Sequence, residues 1–110
     1  MTAARNIEKN PSKIGVVIPC FKVSNHIQNV IEKIGPEVER IYCVDDACPE
    51  ESGKRIESAM KKDERIRLIR HETNKGVGGA VLSGYQKAIE DKMEVIVKID
   101  GDDQMDPTLI

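Results

Sequence analysis

Residues 14–19 have the sequence Ile14-Gly15-Val16-Val17-Ile18-Pro19, a short run rich in β-branched side chains that a proline brings to an end. A continuous apolar run of this length, bounded by a turn signal, is typical of a strand that is buried on both faces, as the strands of parallel sheets are. We therefore predict a first strand at residues 14–18, in the interior of an α/β domain.

The chain beyond this run alternates between helical and extended spacing of its apolar residues. A first helix is predicted from apolar positions i, i+3, i+4 and i+7, which are Ile27, Val30, Ile31 and Ile34. Ser24 or Asn25 would cap this helix, and Gly35-Pro36 would end it. Further strands are predicted at residues 38–44, 66–69 and 95–99.

Two more helices are predicted between these strands. One covers residues 51–62 and carries Ile56, Ala59 and Met60 on one side. The other follows the glycines near position 76, and its predicted apolar side consists of Val81, Leu82, Tyr85, Ala88 and Ile89. Strands that alternate with helices over short links predict a doubly wound, mostly parallel sheet with helices on both faces, a Rossmann-like α/β fold.

The predicted domain organisation is a polar leader at residues 1–13 followed by one domain at residues 14–110. Asp106-Pro107 has the pattern of a new helix start with proline in its first turn, so we expect the domain to be truncated at its C-terminus.

Composition excludes several classes of function. The 110 residues are 33% charged, but the formal net charge is only -2, which is too small to indicate a nucleic-acid partner. The sequence has no apolar run long enough for a membrane span and no signal peptide, so we expect a cytoplasmic location. The three cysteines lack paired spacing, and Cys20 and Cys43 are expected to be reduced thiols that behave as small hydrophobes.

Ligands of a doubly wound sheet bind beyond the carboxyl ends of its strands, where the winding reverses. Asp100-Gly101-Asp102 follows the last predicted strand, and two carboxylates separated by a glycine can offer hard oxygen ligands to Mg²⁺ or Mn²⁺. Such an ion would neutralise a diphosphate and stabilise it as a leaving group. Asp45-Asp46, after the second strand, could bind a second metal or hydrogen-bond a base or ribose, and we favour the base and ribose.

The stretch from Asn74 to Ala80 is a glycine-rich start of a helix. Its N–H groups could favour an anion, with Lys75 and Gly76 near a phosphate, or its glycines could serve only to pack the helix against the sheet. The sequence lacks the spacing of a Walker loop or of G-x-G-x-x-G. His26 and His71 are expected to be surface or helix-start residues.

Four segments together resemble family-2 glycosyltransferases of the GT-A fold, particularly dolichol-phosphate and polyprenyl-phosphate sugar synthases. Residues 17–21, Val-Ile-Pro-Cys-Phe, are similar to the family's V-I-P-x-Y opening, and residues 44–46 to its V-D-D turn. Residues 74–80 are similar to its N-x-G-x-G-x-A helix start, and residues 100–107 to its D-x-D-x-Q-x-x-P segment. Each motif is weak alone, but the four occur in order at predicted strand ends.

The resemblance implies that Pro19 and Phe21 line the nucleoside pocket, that Asp45 and Asp46 contact the base or ribose, and that Asp100 and Asp102 hold the metal. It also implies a nucleoside diphosphate sugar as donor and a polyprenyl phosphate acceptor at the cytoplasmic face of a membrane. The general base would lie downstream of Ile110.

Three positions depart from the family pattern: Phe21 for tyrosine, Ala47 for a frequent glycine, and Val77 for a basic residue.

Two other classes of protein, a sugar nucleotidyltransferase and a receiver-like regulatory module, share parts of this pattern. A sugar nucleotidyltransferase should have a basic, glycine-rich loop directly after the first strand, where residues 20–24 are Cys-Phe-Lys-Val-Ser. A receiver-like regulatory module needs acidic residues after its first and third strands, whereas here they follow the second and fourth. Both patterns fit less well than that of a glycosyltransferase.

Overall fold

The computed structural model describes residues 13–20, 27–47 and 52–100, and in these ranges strands and helices alternate as predicted. The elements are β1 (Ile14–Cys20), α1 (Ile27–Glu32), β2 (Val38–Asp45), α2 (Ser52–Met60), β3 (Ile66–Arg70), α3 (Gly76–Glu90) and β4 (Val95–Lys98). The leader, the predicted caps Ser24 and Asn25, and the helix start at Asp106 lie outside the described residues. No helix of the described ranges has the length and apolar composition needed to cross a membrane.

The four strands form one parallel sheet with the spatial order β3-β2-β1-β4. The chain winds outward from β1 through β2 to β3, and then crosses back over both strands to place β4 on the other side of β1. The winding therefore reverses between β1 and β4. In folds of this class the carboxyl ends of the two strands at such a switch point border the ligand crevice.

Two apolar clusters hold the helices against the sheet, one on each face. Alternate residues of β1 point to opposite faces, so Val16 and Ile18 belong to the cluster under α1 and α2, and Val17 to the cluster under α3. All three are fully buried. The predicted doubly wound α/β class is confirmed.

The buried side of α3 differs from the predicted one. Leu82 and Ile89 are 57% and 65% exposed, whereas the small residues Ala80, Gly84 and Ala88 are buried. A Cβ atom built on Gly84 would lie 2.4 Å from a methyl carbon of Val17, so the absence of a side chain permits this approach of helix to strand. The prediction was wrong for Leu82 and Ile89, because the helix packs mainly through its small residues. It was confirmed for Ala88, which is buried, and Tyr85 packs against the same cluster. Met60 of α2, predicted to be on the apolar side, is also exposed.

We predicted that Pro19 would end strand β1, but the strand continues to Cys20. Proline is tolerated here because of the direction of its missing N–H group. The carbonyl of Val17 accepts from the N–H of Ile99 on the β4 side, and alternate residues face the same neighbour, so the nitrogen of Pro19 also faces β4. The group that this N–H would meet is the carbonyl of Ile99, so that one hydrogen bond of the β1–β4 ladder is missing. On the other side, the carbonyl of Cys20 still accepts from Asp46 at 3.1 Å.

Arg65 fastens the amino edge of the sheet. Its guanidinium donates to the carbonyl oxygens of Gly35 at 2.6 Å, Val38 at 3.2 Å and Ile34 at 3.2 Å, and to the carboxylate of Asp63 at 2.8 Å. The hydrogen bonds from Arg65 outweigh the effect of burial and lower the pKa of Asp63. One side chain thus satisfies the carbonyl groups of the turn that leads from α1 into β2.

Candidate functional site

The carboxyl edge of the sheet contains most of the residues that the sequence nominated. Pro19 is the next-to-last residue of β1, Asp45 ends β2 and Asp46 follows it, and Asp100 lies two residues past β4. Parallel strands end at a common edge, which is why residues distant in sequence gather here. Phe21 and Asp102 are outside the described residues, so their roles stay predictions.

Asp45 and Asp46 do not lie on the same face of the sheet. Asp45 continues the β2 alternation of Ile41 and Cys43, which face α1 and α2. Asp46 lies on the α3 side, because its carboxylate accepts hydrogen bonds from the segment that leads into α3. The adjacent carboxylates therefore diverge, and one ligand group would meet them from different sides.

The carboxylate of Asp46 is buried, with only 3% of its side chain exposed. Its Oδ1 atom lies 2.8 Å from Nδ1 of His71 and 2.8 Å from the backbone nitrogen of Lys75. Burial opposes ionisation, but the hydrogen bonds from His71 and from the N–H groups of Lys75 and Gly76 outweigh it and lower the pKa of Asp46. The structure therefore uses this carboxylate to hold the segment before α3.

His71 is not the surface or helix-start residue that we predicted, because only 5% of its side chain is exposed. Its ring lies between Asp46 and Ser83, with Nε2 2.8 Å from the Ser83 hydroxyl oxygen. Its backbone N–H donates to the carbonyl of Asp45 at 2.9 Å. Local sequence gives no sign of this burial, since both side-chain partners are distant along the chain. The available clue was its position directly after β3, at the same edge as Asp46.

The glycines at the start of α3 do not pack against the sheet. Gly76 has φ +80°, which favours glycine, and neither Gly76 nor Gly78 has an atom within 4 Å of a built Cβ. A Cβ on Gly79 would meet only the Lys75 side chain, at 2.6 Å. Close packing is therefore the role of Gly84, and the helix start is open to solvent. This geometry leaves room for an anion at residues 75–79, and that role stays a prediction.

Asp100 is 43% exposed at its side chain and forms an ion pair with Lys98, with Nζ and Oδ1 2.6 Å apart. Its exposed carboxylate is a hard oxygen ligand, the type that Mg²⁺ and Mn²⁺ prefer, so the residue fits a metal site. In residues 13–20, 27–47 and 52–100, no three His, Cys, Asp or Glu side chains are grouped so that they could hold a metal ion. A complete site therefore needs ligands from elsewhere, of which the predicted one is Asp102.

Ala47, directly after the acidic pair, has φ +57°. This left-handed conformation favours glycine, the residue that the family pattern often has here. The departure from the pattern is therefore accommodated at some cost in backbone energy.

Comparison with known proteins decides the family of this chain. The sequence model described as glycosyl transferase family 2 matches residues 15–110. The chain belongs to this family. Family-2 membership replaces the two alternatives weighed from the sequence, a sugar nucleotidyltransferase and a receiver-like module.

Two curated relatives of this family-2 chain are named as polyprenyl-phosphate sugar transferases. It is 30% identical over 111 residues to a UDP-N-acetylglucosamine–dolichyl-phosphate N-acetylglucosaminyltransferase of Methanococcus voltae, covering 86% of this chain and 43% of the relative. It is 26% identical over 101 residues to an undecaprenyl-phosphate mannosyltransferase of Micrococcus luteus, covering 86% of this chain and 40% of the relative. The chain thus spans about two-fifths of the length of these relatives.

A solved structure confirms the fold. A mannosyltransferase from Pyrobaculum calidifontis, in complex with GDP-Man and Mn²⁺, matches with a TM-score of 0.68 at 14% identity. The match covers 90% of this chain and 33% of that chain. The predicted GT-A fold is therefore confirmed, whereas this level of identity carries no residue roles across.

Proposed function

We propose that this family-2 chain is the donor-binding part of a glycosyltransferase that takes a nucleoside diphosphate sugar with Mg²⁺ or Mn²⁺ and transfers the sugar to a polyprenyl phosphate. The observation that carries the proposal is the exposed carboxylate of Asp100 at the switch point between β1 and β4, in a chain that belongs to this family. Support for the donor and the metal comes from the structural neighbour, which was solved with GDP-Man and Mn²⁺.

The described residues suit the proposed donor in their arrangement. Asp46 and Asp100 end strands that are separated only by β1, a spacing of about 10 Å for two neighbouring strand pairs. An extended nucleoside diphosphate can span this distance, with its nucleoside near Pro19 of β1 and its diphosphate near Asp100. Phe21, outside the described residues, is the second proposed contact of the nucleoside. Lys75, directly before α3, lies at the same edge and would contribute a positive charge, whereas the N–H groups of Lys75 and Gly76 already donate to Asp46 and Asn74.

The metal would be held by Asp100 with Asp102. When bound, the ion would neutralise the diphosphate and stabilise the charge that develops as the bond to the sugar breaks. Nζ of Lys98 lies 2.6 Å from Oδ1 of Asp100, so the carboxylate has an ammonium group as its partner in the structure. Asp45 and Asp46 would contact the base or ribose. The main effect of Asp46 would be indirect, because it holds the loop at residues 74–76.

The acceptor proposal is supported by the names of two relatives, which act on dolichyl phosphate and undecaprenyl phosphate. Acceptor binding and the general base would be supplied by residues downstream of Ile110. Incubation of a protein that includes those downstream residues with undecaprenyl phosphate and radiolabelled GDP-mannose or UDP-N-acetylglucosamine tests the acceptor through label extracted into organic solvent. Equal labelling of the dephosphorylated polyprenol would contradict a lipid-phosphate acceptor.

Titration calorimetry with GDP and with UDP, each with and without Mn²⁺, tests the donor and metal. We expect one nucleotide to bind in a Mn²⁺-dependent way, and Asp100→Asn and Asp102→Asn each to weaken that binding by about tenfold or more, which is about 1.4 kcal/mol. Glu90→Gln is the matched control, because it removes an exposed carboxylate at the opposite end of α3. Binding that ignores Mn²⁺ and both aspartate variants would overturn the metal assignment.

A further inference from the structure

A row of three buried or partly buried side chains connects the end of β2 to the second turn of α3. Oδ1 of Asp46 lies 2.8 Å from Nδ1 of His71, and Nε2 of His71 lies 2.8 Å from the hydroxyl oxygen of Ser83. The three residues come from three separate parts of the chain. Of the three, only Asp46 is a predicted donor contact. Most of the surface of its carboxylate is buried and closed to a ligand.

The direction of the hydrogen bonds follows from the charge of Asp46. An ionised carboxylate can only accept, so Nδ1 of His71 carries the hydrogen and donates to Asp46. Nε2 forms the second hydrogen bond, with the Ser83 hydroxyl, which can serve as donor or as acceptor. The ring thus has a hydrogen-bonding partner at each of its nitrogens, Asp46 and Ser83.

The same carboxylate holds the loop that follows β3. Besides the N–H of Lys75, which donates to Asp46 Oδ1 at 2.8 Å, the side-chain amide of Asn74 donates to the carbonyl of Asp46 at 3.2 Å. The amide oxygen of Asn74 in turn accepts from the N–H of Gly76 at 2.8 Å. The loop at residues 74–76 therefore depends on the position of Asp46, and His71 is the only described side chain that donates to the Asp46 carboxylate.

We propose that His71 and Ser83 are positioning residues for the nucleotide donor: His71 fixes the Asp46 carboxylate, and through it the Lys75–Gly76 backbone that faces the ligand edge, while Ser83 fixes the ring. This inference rests on the proposed donor-binding function. It assigns the two residues no contact with donor or metal, and it makes the loop geometry depend on Nδ1 of the ring in particular.

Two amide substitutions of His71 test the roles of its two ring nitrogens separately. In His71→Asn the side-chain NH₂ takes the place of Nδ1 and can still donate to Asp46, whereas in His71→Gln the longer side chain places its amide nearer the position of Nε2. The first readout is the hydrogen-exchange rate of the Lys75 amide, followed by NMR, because that N–H donates to Asp46. The second readout is calorimetric binding of GDP and UDP with Mn²⁺.

We expect His71→Gln to speed Lys75 exchange and to weaken nucleotide binding by about tenfold or more, the factor that loss of a hydrogen bond to a charged group gives. His71→Asn should stay within about threefold of the parent in both readouts. Ser83→Ala, which suits a helix better than serine, should fold and give a smaller effect of the same sign.

Tyr42→Phe is the matched control. It removes the 2.8 Å hydrogen bond from the Tyr42 hydroxyl to Asp91, which ties the other end of α3, and it should leave Lys75 exchange and nucleotide binding unchanged at a comparable loss of unfolding free energy. If His71 had only a structural role, Lys75 exchange and nucleotide affinity in His71→Gln, His71→Asn and Tyr42→Phe would change only in proportion to the loss of unfolding free energy.

The outcomes distinguish the two proposals. Equal Lys75 exchange in the Asn and Gln variants would overturn the positioning of the loop. Altered exchange with unaltered nucleotide affinity would overturn the role in donor binding while leaving the loop contact in place. If the parent chain binds neither nucleotide, the proposed function fails, and the donor role of His71 fails with it, independently of the exchange result.

Discussion

Replacing Gly84 by alanine tests the close approach of α3 to β1. The new Cβ would lie 2.4 Å from Cγ1 of Val17, and it would have to move by about 1 Å to reach an ordinary carbon–carbon separation of about 3.5 Å. Val17 cannot easily give way, since its side chain is β-branched and fully buried in a strand with neighbours on both sides. Overpacking of this kind costs about 1–3 kcal/mol.

Alanine also has a higher helix propensity than glycine by about 1 kcal/mol, which acts in the opposite direction. We therefore expect Gly84→Ala to lower the free energy of unfolding by up to about 2 kcal/mol. Gly78→Ala in the same helix is the control, because a Cβ there meets no atom within 4 Å. That variant should be more stable than the parent by about 0.5–1 kcal/mol.

Urea unfolding followed by far-ultraviolet circular dichroism gives both values by linear extrapolation. The alanine at position 84 should cost less in a Val17→Ala background, where the obstructing methyl groups are absent. If Gly84→Ala stabilises the chain as much as Gly78→Ala does, the described contact between helix and strand is wrong.

Three further predictions concern stability. Ala47→Gly should raise the free energy of unfolding by about 1 kcal/mol in urea titration, because φ is +57° at this position, and an unchanged midpoint would contradict a left-handed backbone there. Arg65→Lys should cost about 1–3 kcal/mol, since a single ammonium cannot serve three carbonyl groups and a carboxylate together, and a loss no larger than that of the exposed Arg70→Lys would refute the bridging role. The pKa of Asp63 is lowered in the folded chain, so its contribution is complete above the unfolded value of about 3.9 and is lost as the pH falls through the folded pKa. Acid titration of unfolding should therefore show a smaller loss of stability in Asp63→Asn than in the parent.

The sequence was sufficient for the order of the elements because the local signals agree with the final packing. The apolar run of β1 is buried on both faces, and the spacing of Ile27, Val30 and Ile31 matches the buried side of α1. Alternation then selects a parallel sheet, since parallel neighbours need crossovers. The polar residues at strand ends consequently fall at one edge.

The side of α3 that packs on the sheet was not predictable from hydrophobicity. Ala80, Gly84 and Ala88 contribute little apolar area each, whereas Leu82 and Ile89 dominate the apolar pattern although both are exposed. What decides the buried side is the distance between helix and sheet, which depends on the contact of Gly84 with β1. No local window contains that contact.

The candidate site was predicted in its location but not in its internal connections. Asp46 and His71 are separated by 25 positions, and the burial of their pair depends on how the β3–α3 segment lies over the end of β2. A motif can nominate Asp46 as a ligand residue, but only coordinates show that its Oδ1 atom is already in use. The donor and metal roles of Pro19, Asp45 and Asp100 stay predictions for the binding measurements.

The hydrogen bond between Ile99 and β1 fixes the backbone directly before Asp100. Ile99 is 1% exposed, and its N–H group donates to the Val17 carbonyl of β1 at 3.0 Å. Pro19 offers no N–H to the Ile99 carbonyl, so that carbonyl receives no hydrogen bond from β1. The carboxylate of Asp100 therefore stands a single residue away from an anchored point. Only the backbone torsions of Ile99 and the torsions of Asp100 itself lie between this carboxylate and the hydrogen-bonded nitrogen. The carboxylate that is proposed to meet the diphosphate is therefore confined to a small region.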